Sequence, residues 1–151
     1  NLEGSELGAS FGMVQLERLD QNIASRQANF ERQCKFFDNY PDYFSNPQET
    51  HGCNTAWLAF PILIKEGTPF TRKEFQLFLE KRNIQTRVVF TGNILRQPMC
   101  QNISKRVLEE GYPNADRVMA RGVLLPLHHG MTESMFSRFH ATVHEFIEQY
   151  D

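Results

Sequence analysis

The sequence predicts an α/β domain: a small sheet with helices packed on one side, preceded by a long helix. Three observations carry that expectation. Apolar residues recur at helical spacing at both ends of the chain, and short runs rich in β-branched and aromatic residues lie between them. Gly, Pro and Asn punctuate the junctions. The predicted order is long helix, strand, helix, strand, short helix, strand, helix, a pattern that layers helices on a sheet.

The first helix starts at Ser5, a capping residue with Glu6 in the following turn. Leu7, Phe11, Val14, Leu19, Ile23, Phe30, Cys34 and Phe37 form its apolar stripe, and Asn39-Tyr40-Pro41-Asp42 ends it. Gly8, Ala9, Ser10 and Gly12 crowd the opening turns, an arrangement suited to close backbone packing against something that need not lie in this chain. A short strand is expected around Tyr43-Phe44. A longer one is expected at residues 55–64, where Pro61 restricts it to an edge, a bulge or a strand end. Thr71 and Glu74 form a capping box for a helix from Arg72 to about Arg82. Residues 84–90 read as the next strand, and residues 99–111 as a short helix or a loop. A helix opening at Pro113 runs to about Gly122, a strand follows at residues 123–127, and Thr132 caps the last helix.

Composition narrows the function. At 151 residues with 40% hydrophobic and 23% charged residues, the chain supports one globular core. A net charge of -2 with scattered basic residues gives no counterion-releasing surface for nucleic acid, and no apolar run approaches the length of a membrane span. Cys34, Cys53 and Cys100 are odd in number and form no CxxC pair, which suits free thiols in a cytoplasmic protein. His128-His129 and the i, i+4 pair His140 and His144 lack the HExxH pattern, so no metal is expected. Walker-type and GxGxxG phosphate loops are absent. One segment stands apart: residues 86–98 leave a strand through Thr91-Gly92-Asn93 and place Arg87, Arg96, Asn93 and Gln97 near Phe90. Guanidinium forks there suit phosphate or carboxylate, and the same residues equally suit a surface turn with ordinary salt bridges.

The stretch from Asn1 through Ser5-Glu6-Leu7-Gly8-Ala9-Ser10-Phe11-Gly12 to Gln15-Leu16-Glu17-Arg18-Leu19 resembles the DegT/DnrJ/EryC1/StrS family. So does the loop ending in Gln97-Pro98. The tail from Asn114-Ala115-Asp116 through Leu125-Pro126-Leu127-His128 to Thr132-Glu133 does as well, and the likeness covers essentially the whole chain in order. These are sugar aminotransferases of the aspartate-aminotransferase fold (fold type I) that depend on pyridoxal 5'-phosphate (PLP). The resemblance implies a C-terminal small domain: residues 1–38 as an interdomain and dimer-interface helix, residues 39–151 as the α/β part. The chain begins at Asn1 without an initiator Met, and a large PLP-binding domain carrying the Schiff-base residue is expected upstream. None of Lys35, Lys65, Lys73, Lys81 or Lys105 takes that role, and the isolated chain is expected to hold no PLP and to be inactive.

The resemblance further implies that Asn1 reaches the cofactor phosphate of the neighbouring subunit in a homodimer. Arg87 and Arg96 are the candidates for an anionic nucleotide-linked keto-sugar, Phe90 for stacking or shape, and Asn93 for a sugar hydroxyl. Two departures from the family pattern stand out. Glu3 replaces a common Arg, and Thr91-Gly92-Asn93-Ile94-Leu95-Arg96 replaces a Pro-rich loop containing His. The loop looks closer to the branch with CDP-4-keto-6-deoxyglucose 3-dehydrases of lipopolysaccharide synthesis, in which histidine replaces the catalytic lysine. Dehydrase chemistry is therefore the alternative to transamination, and a free-standing interaction domain is the alternative from another class.

Overall fold

The computed structural model describes residues 4–150. Two consecutive helices open it, α1 (Glu6–Glu17) and α2 (Leu19–Phe37), followed by β1 (Phe44–Ser45) and β2 (Phe60–Ile64). Then come α3 (Arg72–Lys81), β3 (Arg87–Val88), α4 (Pro113–Arg121), β4 (Gly122–Leu125) and α5 (Glu133–Ile147). The four strands form one antiparallel sheet in the order β1-β2-β4-β3.

One face of the sheet is the core. Phe60, Ile62 and Ile64 of β2 alternate inward with Val123 and Leu125 of β4, as the two-residue period of a strand requires. They meet Phe37 of α2, Phe75 and Leu79 of α3, and Phe139, Val143, Phe146 and Ile147 of α5. Aromatic rings dominate: Phe37 stacks on Phe60 at 5.5 Å, and Phe70 meets Phe146 edge-on at 4.8 Å. The register puts Pro61, Leu124 and Arg87 in one cross-strand row on the opposite face, where they are half-buried or exposed.

The expected long first helix is broken at Arg18, whose backbone sits at φ -96°, ψ -2°. The stripe explains why. Val14 and Leu19 are five residues apart, which on a continuous helix turns the apolar face by about 140°. Only α2 turns buried side chains, Gln33 and Phe37, to the core, while α1 has none. Among the described residues, nothing beyond the helix's own backbone lies within 4 Å of where a Cβ on Gly12 would sit. The Ser5 cap forms as expected, its hydroxyl accepting from the Gly8 amide at 3.0 Å.

Three strands are shorter than their sequence patterns. Residues 55–59 leave the sheet because Trp57 stacks on Phe30 of α2 at 4.4 Å and its carbonyl accepts from Arg26. Pro61 sits beyond the reach of β1, where β2 has only β4 as neighbour and a missing amide costs no ladder bond on the other side. Thr86 gives its amide to the Glu80 carboxylate at 2.6 Å, and Phe90 turns to φ 47°, so β3 keeps two residues. β4 ends at Leu125, followed by Pro126, which has no amide to extend the ladder. Residues 99–111 hold one tight turn at their start (Pro98–Cys100) and no longer helix. The caps are as read: Thr71 and Glu74 bond reciprocally as a capping box, and the Thr132 hydroxyl accepts from the Met135 amide.

Candidate functional site

The segment from Arg87 to Gln97 is a strand end followed by a pinned loop. Gly92, at φ 62°, lies so close to α4 that a Cβ there would meet that of Met119 at 2.3 Å. Asn93 is buried; its side-chain Oδ1 accepts from the Leu95 amide and its Nδ2 donates to Asp116 at 2.8 Å. Arg96 donates to both oxygens of the same carboxylate, from Nε at 3.0 Å and from Nη2 at 2.8 Å. The guanidinium first, and then the Asn93 amide, holds the Asp116 carboxyl down to about 2. Gln97 closes the loop by donating to the Thr91 carbonyl at 2.9 Å.

This geometry divides the four candidates. Asn93 and Arg96 are committed to Asp116 and border a cleft of about 240 Å³ between the loop and Tyr112. Phe90 is 84% exposed and borders a separate cleft of about 300 Å³ with Arg72 and Met119. Arg87 stands on the open face of the sheet, in a third cleft of about 380 Å³. Among the described residues, no hydrogen bond or ion pair engages its side chain. The chain alone therefore does not gather the four into one pocket. Asn1 lies outside the described residues.

Sequence reasoning missed Asp116 as the organiser of the loop. Its place in the first turn of α4 was legible, but its partners lie 20 and 23 residues away. His128 was read as part of a loop pair, and it borders the same cleft as Arg87.

Other chemistry is limited. Burial, with Asp38 and Glu31 nearby, pushes the Cys34 thiol up to about 11, away from nucleophilic use. His140 is a packing group: it stacks on Phe36 at 3.9 Å, and its Nε2 bonds Gln33 Oε1 at 2.9 Å. His144 bonds Tyr40 and Glu148. No cluster of metal-binding side chains occurs among the described residues. Among them, too, no helix is long and apolar enough to cross a membrane. Lys35, Lys65, Lys73, Lys81 and Lys105 are all exposed, and none borders these clefts.

The sequence profile of the DegT/DnrJ/EryC1/StrS aminotransferase family matches residues 1–144. The chain belongs to that family. DegT/DnrJ/EryC1/StrS relatives include the lipopolysaccharide biosynthesis protein RfbH of Salmonella typhimurium, 33% identical over 87% of this chain and 30% of its own length. A dTDP-4-dehydro-2,6-dideoxy-D-glucose 3-dehydratase of Saccharopolyspora spinosa is 29% identical over 97% of this chain and 31% of its own. A solved GDP-4-keto-6-deoxymannose-3-dehydratase with a trapped PLP-glutamate geminal diamine superposes with a TM-score of 0.73 at 26% identity. That match covers 85% of this chain and 33% of the dehydratase. The chain thus spans about a third of these proteins. Its α/β architecture is that of fold type I PLP enzymes of the family, as the resemblance implied.

Proposed function

We propose that this chain is the C-terminal domain of a PLP-dependent nucleotide-sugar aminotransferase. The parent acts on a keto-deoxysugar in lipopolysaccharide, O-antigen or related sugar biosynthesis, works in the cytoplasm and forms a homodimer. The large domain upstream holds PLP, which supplies an electron sink for chemistry beside the keto group. Residues 1–38 connect the two domains, and Asn1 approaches the cofactor phosphate. This chain's share of the work is to bind and orient the anionic, sugar-bearing substrate.

The observation that carries this reading is Arg87: an exposed guanidinium, unengaged by any described residue, on an open sheet face. A free fork of this kind suits the diphosphate of a nucleotide sugar. Phe90, ring outward, offers a stacking or shaping surface. Arg96 and Asn93 act on the substrate through the shape of the loop that Asp116 holds, with Arg96 retaining outward edges for an anion. In the full-length enzyme, replacing Arg87 by Ala raises KM for the nucleotide sugar about ten- to hundredfold, the worth of one charged hydrogen bond. Unchanged KM and kcat remove it from the site.

A second reading, a 3-dehydratase, is favoured by two of the three relatives above, which carry that name. Product analysis separates the two. Transamination moves an amino group onto the sugar, whereas dehydration leaves a deoxygenated sugar without added nitrogen.

A further inference from the structure

Arg87 shares its cleft with two other hydrogen-bonding side chains, Gln85 and His128, above an apolar floor that includes Leu58 and Leu124. His128 follows β4 in an exposed turn, yet it is held at both ends. Its carbonyl accepts from Asn29 Nδ2 of α2 at 2.8 Å, and its ring Nδ1 accepts from the Gly130 amide at 3.1 Å. A Cβ at Gly130 would lie 3.3 Å from Nδ1, a tight contact that glycine avoids.

The amide bond settles the tautomer. A neutral imidazole carries one proton, and with Nδ1 accepting, that proton resides on Nε2. Two residues that border the cleft therefore carry donors: His128 at Nε2 and Arg87 with its free guanidinium. Arg87 pairs across the strands with Leu124, and His128 lies four residues further on, at most about 13 Å of extended chain. A diphosphate offers more oxygens than a carboxylate, so it can take the Arg87 fork and a second donor on separate oxygens.

We propose that His128 is a specificity-determining residue of the same site, its Nε2–H donating to a diphosphate oxygen of the nucleotide-linked sugar that Arg87 binds. This rests on the reading of Arg87 given above. It selects a nucleoside diphosphate over the carboxylate of an amino donor.

The test is isothermal titration of the full-length, PLP-loaded protein with GDP, dTDP and glutamate. Asn at position 128 keeps an acceptor near the Nδ1 position but lacks the outer donor, whereas the longer Gln carries an amide N–H out to the Nε2 position. His128→Asn therefore weakens the tighter-binding nucleoside diphosphate about tenfold, and His128→Gln restores it to within about threefold, with glutamate binding unchanged in both. Equal weakening by Asn and Gln would mean a merely structural ring and overturn the proposal, as would an effect confined to glutamate. Arg87→Ala run alongside separates the two levels. If Arg87→Ala weakens GDP or dTDP and His128→Asn does not, only the role of His128 falls. If neither weakens them, the substrate reading of the cleft falls as well.

Discussion

Asp116 receives Arg96 on both carboxylate oxygens while Oδ1 also accepts from the buried Asn93 amide. One side chain of α4 thereby fixes the loop that leaves β3. Substitution of Asp116 by Ala releases both partners, and amide exchange at Leu95 to Gln97 accelerates while α5 stays protected. The pH dependence has a defined sign. The carboxyl is held down to about 2 from an ordinary 3.8, so its tether is complete above about pH 4 and is lost as pH falls through 2. A carboxyl ¹³C titration of Asp116 with a midpoint near 4 would disprove the clamp.

Gln33 is wholly buried and joins three elements: its Oε1 bonds His140 of α5, and its Nε2 donates to the Pro126 carbonyl at 3.4 Å. Gln33→Leu leaves both partners unsatisfied and costs about 1–3 kcal/mol in urea denaturation. Burial first, and the Arg32 guanidinium second, pushes His140 down to about 4 from 6.5. The unfolded chain therefore takes up the proton more readily, and stability drops as pH falls from about 6.5 to about 4. His140→Gln flattens that slope; an unchanged slope in the variant assigns the effect elsewhere.

Phe90 combines an exposed ring with φ 47°, a left-handed conformation that costs a bulky residue about 1–2 kcal/mol. With the ring 84% exposed, little packing is lost on its removal. Phe90→Gly accordingly stabilises the fold by about 1 kcal/mol, while in the full-length enzyme it weakens substrate binding. A destabilised variant would show that the ring packs against protein. Asn83 has φ 57° at the end of α3, and asparagine tolerates that region, so Asn83→Gly changes stability by only a few tenths of a kcal/mol.

Helix α1 exposes Leu7, Phe11, Met13 and Leu16 and buries none of its residues. A 12-residue helix without a packing partner is marginal in water. In the isolated chain, hydrogen–deuterium exchange of its amides runs roughly a hundredfold faster than that of α5. Equal protection in a proven monomer would contradict this.

What the sequence determined by itself was local chemistry and order. The caps at Ser5, Thr71 and Thr132, the α3 and α5 stripes, the positions of the strands and the likeness to the family were all legible, because each depends on residues within a few positions of one another. Strand lengths were not, since Trp57 prefers Phe30, and Thr86 prefers Glu80, to a place in the ladder. Residues 86–98 suited an anion site and a surface turn with ordinary salt bridges equally. Only the tertiary structure tied Asn93 and Arg96 to Asp116, left Arg87 unengaged, and set His128 beside it. Those pairings span 20 to 41 residues, and which polar group a side chain meets at that range is decided by how strands and helices pack, which no local pattern records.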